Sequence, residues 1–138
     1  MARVLVADDE ESIRLVLSTA LAQAGHDVAL ASTGGEALAQ LIGGTFEVAI
    51  LDVRMPDMSG LDVLARVRET ETPVIVIVIT AQNTMANAIE AMKRGAFNYL
   101  TKPFDLDEVR TLVARASEMH KLKDTVGRSR TEVVGRYE

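Results

Sequence analysis

The chain contains no cysteine. That absence excludes disulfide scaffolds, thiol nucleophiles and cysteine-ligated zinc together, and it is compatible with a reducing compartment. Positive charge is also scarce. Fifteen Lys and Arg face twenty Asp and Glu, for a net charge of −5. The surface as a whole therefore repels nucleic acid, and direct DNA contact by these residues is not expected. Long apolar runs are missing too. The longest covers residues 74–79, far short of the ~20 residues that a membrane-crossing helix needs. Met1-Ala2-Arg3 leads straight into a short apolar run without the pattern of a signal peptide. A cytoplasmic location with no membrane association is the expectation. There is no internal repeat and no low-complexity tract. What is present, 138 residues that are 48% apolar and 25% charged, suits one soluble globular domain able to bury a core without covalent staples.

Short apolar runs alternate with amphipathic stretches, five times over. The runs fall at residues 4–7, 28–30, 48–51, 74–79 and 97–100, and they are rich in Val and Ile. Such runs suit strands buried on both faces. The first run is followed by Ile13, Leu15, Val16, Leu17, Ala20 and Leu21, and the second by Ala37, Leu38, Leu41 and Ile42. Leu61, Val63, Leu64 and Val67 follow the third, Met85, Ala88, Ile89 and Met92 the fourth, and Leu106, Val109, Leu112, Val113 and Ala116 the fifth. These three- and four-residue spacings predict helices laid against a sheet. Gly25, Gly34-Gly35, Gly43-Gly44, Gly60 and Gly95 punctuate the boundaries, and Pro73 precedes the fourth strand. The alternation predicts a (βα)5 fold: a doubly wound, five-stranded parallel sheet with helices on both faces. It occupies residues 1–120. The last helix is expected to continue to about Lys123, and residues 121–138 read as a charged, weakly periodic linker.

In an open parallel sheet, ligands bind outside the carboxyl ends of the strands. That rim should carry Asp8, Asp9 and Glu10 after the first strand and Asp52 after the third. Thr80 should follow the fourth strand, and Thr101, Lys102 and Pro103 the fifth. Taken singly, each has an ordinary use: a strand-end Asp caps a helix or forms a turn, a Thr caps, a Lys sits in solvent. Together they gather carboxylates, a hydroxyl and an ammonium at one place. Two carboxylates about 4 Å apart repel by roughly 4 kcal/mol at an effective dielectric near 20, so such a cluster invites a hard divalent cation or protonation. Mg²⁺ takes a few carboxylate oxygens and leaves positions for phosphate oxygens. Asp52 is then placed as a nucleophile that can form an acyl phosphate. Lys102 and the Thr80 hydroxyl are placed to meet phosphoryl oxygens. The rim holds no histidine, serine nucleophile or thiol for acyl transfer.

These residues resemble a known family. Asp8-Asp9, Asp52, Thr80 and Lys102-Pro103 match, in order, the signature of the response-regulator receiver domain of two-component signalling, over about residues 3–120. The segments Asp52-Val53-Arg54-Met55-Pro56-Asp57-Met58-Ser59-Gly60 and Gly95-Ala96-Phe97-Asn98-Tyr99-Leu100-Thr101-Lys102-Pro103-Phe104 resemble the nitrogen-regulation-type subgroup, found in sigma-54-dependent transcriptional activators. The resemblance implies a flavodoxin-like fold and a signalling switch rather than a classical enzyme, one that supports only its own phosphorylation and autodephosphorylation. It implies that Asp52 accepts a phosphoryl group from a sensor histidine kinase. Asp9, Asp52 and the main-chain carbonyl of Arg54 would bind Mg²⁺, with Asp8 acting through water. Lys102 would contact the phosphoryl group, Thr80 would move toward it, and Tyr99 would turn inward in step. A cis peptide is implied before Pro103.

The fourth helix has the makings of the switch element. Asn83, Thr84 and Asn87 are middling-to-poor helix formers, and Met85 and Met92 pack adaptably. An ordinary amphipathic helix is the alternative. The tail segment Thr131-Glu132-Val133-Val134-Gly135-Arg136 resembles the start of the AAA+ ATPase domain of such activators, although no GxxxxGK[ST] motif follows. Expected partners are therefore a homodimer mate, with Arg110, Arg115, Lys121 and Lys123 as one candidate face, and output ATPase and DNA-binding domains in a full-length protein. Other functions fit less well. A Mg²⁺-dependent aspartyl-phosphate phosphatase needs a second Asp two residues after the nucleophile, where this chain has Arg54. A dinucleotide site needs GxGxxG after the first strand, which is missing. A phosphorylation-independent pseudo-receiver, acting as an interaction module, stays open, although no acidic or lysine position is lost. The lifetime of an acyl phosphate would depend on side chains near the site such as Arg54 and Gln82.

Overall fold

A computed structural model of the chain describes residues 2–81 and 85–137, with side chains described as far as residue 122. Gln82, Asn83 and Thr84, named above for the acyl-phosphate lifetime and for the fourth helix, lie outside the described residues. Five strands, β1 (Arg3–Ala7), β2 (Asp27–Ala31), β3 (Val48–Asp52), β4 (Ile75–Thr80) and β5 (Asn98–Thr101), alternate with five helices. The helices are α1 (Glu11–Gln23), α2 (Gly34–Gly43), α3 (Gly60–Glu69), α4 (Met85–Lys93) and α5 (Leu106–Tyr137). The sheet is wholly parallel in the order β2-β1-β3-β4-β5. This is the flavodoxin-like order, with its switch point between β1 and β3.

The sheet buries both faces, so alternate residues of one strand enter two different cores. Leu5, Ala7, Ala49, Leu51, Val76 and Val78 point to one side, where they meet Leu41, Leu64, Val67 and Ala91. Val4, Val6, Val48, Ile50, Ile75, Ile77 and Ile79 point to the other, against Leu17, Leu21, Val109 and Val113. Helices α2 and α3 start where short polar side chains cap them. Thr33 accepts from the Glu36 N–H at 3.1 Å, and Ser59 accepts from the Asp62 N–H at 3.1 Å. Gly95 ends the turn after α4 at φ +99°, a conformation that favours glycine.

Three sequence expectations need correction. The second strand is not buried on both faces: β2 is an edge strand, and Leu30 is exposed. Several residues assigned to inward helix faces point to solvent, namely Leu15 and Val16 on α1, Ile42 on α2, and Met85, Ile89 and Met92 on α4. On α4 it is Ala91 that enters the core. The last helix does not stop near Lys123; its backbone continues to Tyr137. No proline interrupts residues 121–137, and Lys, Arg, Glu and Leu among them are good helix formers. No helix of the described residues is long and apolar enough to cross a membrane.

Candidate functional site

The site lies at the carboxyl ends of the central strands, where the topology reverses. Register sets its spacing. Ala7 pairs with Leu51, so Asp8, one residue beyond β1, stands beside Asp52, the last residue of β3. Thr80 and Thr101 are register partners at the ends of β4 and β5. Asp52 and Thr80 thus close their strands rather than follow them, one residue inside the sequence-based boundaries. The Lys102 N–H donates to the Thr80 carbonyl at 2.8 Å, which carries the ladder one step past β5 and turns the Lys102 side chain over the rim. The Lys102–Pro103 peptide is cis, the form the resemblance implies.

Lys102 Nζ lies 3.0 Å from Asp8 Oδ2, 3.0 Å from Glu10 Oε1 and 3.2 Å from Asp52 Oδ2. Asp8 is 0% and Asp52 2% exposed, so two carboxylates with one shared ammonium are taken out of water. Each buried carboxylate divides its two oxygens. Asp8 Oδ1 accepts the Glu10 N–H at 2.8 Å and Asp52 Oδ1 accepts the Arg54 N–H at 3.2 Å. These are the ordinary turn-forming bonds of a strand-end Asp. The Oδ2 atoms are left for the rim. The carbonyl of Asp8 is held from α1 by Arg14, whose guanidinium donates to it at 2.7 Å.

This crowding shows in the titration of the groups. Burial first, then the Asp8 charge, push the Asp52 carboxyl up to about 6, against the opposing pull of Lys102 and the Arg54 N–H. Burial works against the charge on Lys102. The adjacent Asp8, Glu10 and Asp52 carboxylates outweigh it and hold the ammonium above its usual range. Burial raises the Tyr99 phenol.

Asp8 Oδ2 tests whether the rim suits a cation. It is buried and no hydrogen bond satisfies it among the described residues; its compensation is the charge of Lys102, which approaches without a bond's alignment. A buried carboxylate oxygen with no aligned hydrogen bond is costly and is a natural position for a metal's positive field. Asp8, Asp9 and Glu10 can present oxygens all within 4.8 Å of one another. The donors are hard oxygens throughout, so the set fits Mg²⁺ better than a softer metal.

The structure thus brings Asp8, Asp52 and Lys102 together at bonding distance, with Asp9 exposed beside them and Thr80 buried at the next strand end. The Arg54 side chain points to solvent while its N–H joins the site. Tyr99 is half-buried and packs on the core beneath α4. Sequence reasoning gave Glu10 no role, although it adjoins the acidic pair and is one of Lys102's three partners. It also passed over Asp57, which binds the first two N–H groups of α2. Neither spacing nor periodicity marks that long-range contact.

Residues 4–114 match the response regulator receiver domain family. The DNA-binding transcriptional regulator NtrC of Azospirillum brasilense is 44% identical over 115 residues, 83% of this chain and 24% of that protein. The regulatory protein AtoC of Escherichia coli (strain K12) is 40% identical over 124 residues, 90% of this chain and 27% of that protein. The chain therefore spans about a quarter of the length of these curated relatives. Among solved structures, the beryllofluoride-activated NtrC4 receiver domain dimer superimposes with a TM-score of 0.82 at 38% identity, covering 87% of this chain and 99% of that one.

Proposed function

This chain belongs to the response regulator receiver domain family, and we propose that it is a phosphorylation-dependent switch in which Asp52 accepts the phosphoryl group. One observation carries the reading: Asp52, buried at the end of β3, aims Oδ2 at Lys102 Nζ 3.2 Å away, beside the second buried carboxylate of Asp8. An Asp52 oxygen attacks the phosphorus of a phosphohistidine on a sensor kinase. The P–O bond forms as the P–N bond breaks, and the imidazole takes up a proton. Lys102 stays beside the incoming phosphoryl oxygens and offsets their charge, and the Thr80 hydroxyl donates to one of them. Asp9, Asp52 and the Arg54 carbonyl would hold Mg²⁺, with Asp8 acting through water and Glu10 at the rim; when bound, the ion supplies further neutralisation of the phosphoryl oxygens. Autodephosphorylation at the same site would reset the switch.

The charge gained at Asp52 biases the region from Thr80 through α4 to Tyr99. The exposed Met85, Ile89 and Met92 on α4 support this reading, because they form an apolar stripe that a rearranged α4 can offer to a partner. We propose a second copy as that partner. In the full-length protein, residues 121–138 would lead from the receiver to an ATPase and a DNA-binding output domain of a sigma-54-dependent activator in the cytoplasm. The NtrC and AtoC relatives, each about four times the length matched here, and the NtrC4 receiver dimer support this. Intact mass after incubation with a small phosphoryl donor, with and without MgCl₂, tests the chemistry. A Mg²⁺-dependent gain of one phosphoryl group, absent from Asp52→Asn, is expected. No gain in the native chain would refute it in favour of a pseudo-receiver.

A further inference from the structure

The loop between β3 and α3, residues 53–59, carries the Arg54 carbonyl, and two anchors hold it. The near anchor is made by the loop's own ends. The Val53 N–H donates to the Ile79 carbonyl at 2.9 Å, the Gly60 N–H to the Val53 carbonyl at 3.0 Å, and the Arg54 N–H to Asp52 Oδ1 at 3.2 Å. The far anchor is Asp57. Its Oδ1 accepts the Gly34 N–H at 2.9 Å and its Oδ2 the Gly35 N–H at 3.0 Å. A Cβ on Gly34 would stand 2.2 Å from the Met58 carbonyl oxygen, and one on Gly35 would stand 2.7 Å from Asp57 Oδ2. The glycine pair is thus what lets the start of α2 close onto the loop.

We infer that Asp57 is a positioning residue: by clamping residues 53–59 to the first turn of α2, it fixes the Arg54 carbonyl relative to the Asp52 carboxylate and so sets the affinity of the rim for Mg²⁺. The inference rests on the Mg²⁺ reading proposed above. Asp57 is exposed, and among the described residues its carboxylate bonds Gly34 and Gly35 rather than the rim, so it acts through the loop. Met55 and Met58 also pack that loop on the core. Flexible apolar contacts of this kind tolerate sliding, whereas two parallel charge-assisted N–H···O bonds set one register. The helix N-terminus favours the same negative charge. Burial opposes that charge, but N–H groups of Gly35, Asp57, Gly34 and Met58 prevail and hold the carboxyl below its usual range.

The experiment is a calorimetric MgCl₂ titration of the native chain, Asp57→Ala, Asp57→Asn and Gly35→Ala, with urea unfolding of the metal-free proteins in parallel. Loss of a group bonded directly to a metal ligand costs about 10- to 100-fold in affinity; Asp57 acts one step further out, so Asp57→Ala is expected to bind no more than about tenfold more weakly, with a loss of at least about threefold. Asp57→Asn keeps the shape and one acceptor oxygen and is expected to fall between Ala and native. Gly35→Ala attacks the clamp from α2 and is expected to weaken binding as well. Asp57→Asn serves where either alanine variant fails to fold. Native affinity in folded Asp57→Ala or Asp57→Asn, whatever their urea midpoints, would overturn the clamp and leave the proposed function standing. No Mg²⁺ binding by the native chain would overturn both.

Discussion

Replacing Asp52 by Asn should make the metal-free protein more stable while abolishing its phosphorylation. The substitution removes a charge and almost no volume. The Asp52 carboxyl is pushed from its ordinary 3.8 up to about 6, so the folded chain holds its ionised form less well than the unfolded chain does. At 1.36 kcal/mol per pH unit, that difference is worth about 2–3 kcal/mol against folding. The sign follows from the direction of the shift. Because the folded value is the higher one, the penalty is complete above pH 6, shrinks as the pH falls, and is gone below about 4, where both states are protonated. Asn escapes it at every pH. In EDTA at pH 7.5 the Asn variant should unfold at a urea midpoint higher by about 1–2 M, for a slope of ~1–3 kcal/mol per M. The gap should close at pH 4. With MgCl₂ in place of EDTA it should narrow at pH 7.5, because the ion stabilises the native rim more than the depleted one. A native protein more stable than the variant in EDTA, or a gap independent of pH between 4 and 7.5, would refute the claim that Asp52 is held at an electrostatic cost.

Other substitutions separate the parts of the rim. Asp9 is exposed, so Asp9→Ala should leave the urea midpoint of the metal-free protein within about 0.5 kcal/mol of native while weakening Mg²⁺ binding by calorimetry. Lys102→Met leaves the buried Asp8 and Asp52 carboxylates facing each other without a cation; it should cost about 3 kcal/mol in EDTA, part of which MgCl₂ restores. Gly60→Ala would place a Cβ 2.2 Å from the Asp52 carbonyl oxygen. That oxygen is backbone in the central strand and cannot yield, so a loss of about 2–3 kcal/mol is expected, measured by urea unfolding.

The fold and the rim were legible in the sequence because each depends on short-range pattern. A buried strand such as residues 48–52 needs nothing more than continuous apolar residues, and a parallel sheet then sends every strand end to one side. Once Asp8, Asp52, Thr80 and Lys102 were assigned to strand ends, their convergence followed from topology alone. What escaped was set by long-range packing. Met85, Ile89 and Met92 keep a helical spacing that reads as an inward stripe, yet α4 turns Ala91 to the core and leaves them outside. Periodicity shows that a helix has an apolar side; it does not show whether that side meets the sheet. Asp57 likewise carries no local mark, because its partners lie 22 and 23 positions away. Glu10 was visible beside the acidic pair, but only the position of Lys102 gives it a partner.

The three pairs made by Lys102 are not equal, and the inequality suits a switch. Asp8 and Asp52 are buried, while the Glu10 side chain is 55% exposed. An ion pair in solvent contributes little, ~0–1 kcal/mol. The two buried contacts act where screening is weak and dominate the hold on the ammonium. A phosphoryl group on Asp52 would bring added negative charge to the very atom that Lys102 already faces. The ammonium would not have to leave the buried carboxylates to meet it; it would need only to give up Glu10, the most exposed partner. On the proposed reading, the resting rim is therefore close to its phosphorylated arrangement on the Lys102 side, and the larger adjustment falls to the element with the least packing. That element is α4, which sets only Ala91 fully into the core and carries three exposed apolar side chains to present elsewhere.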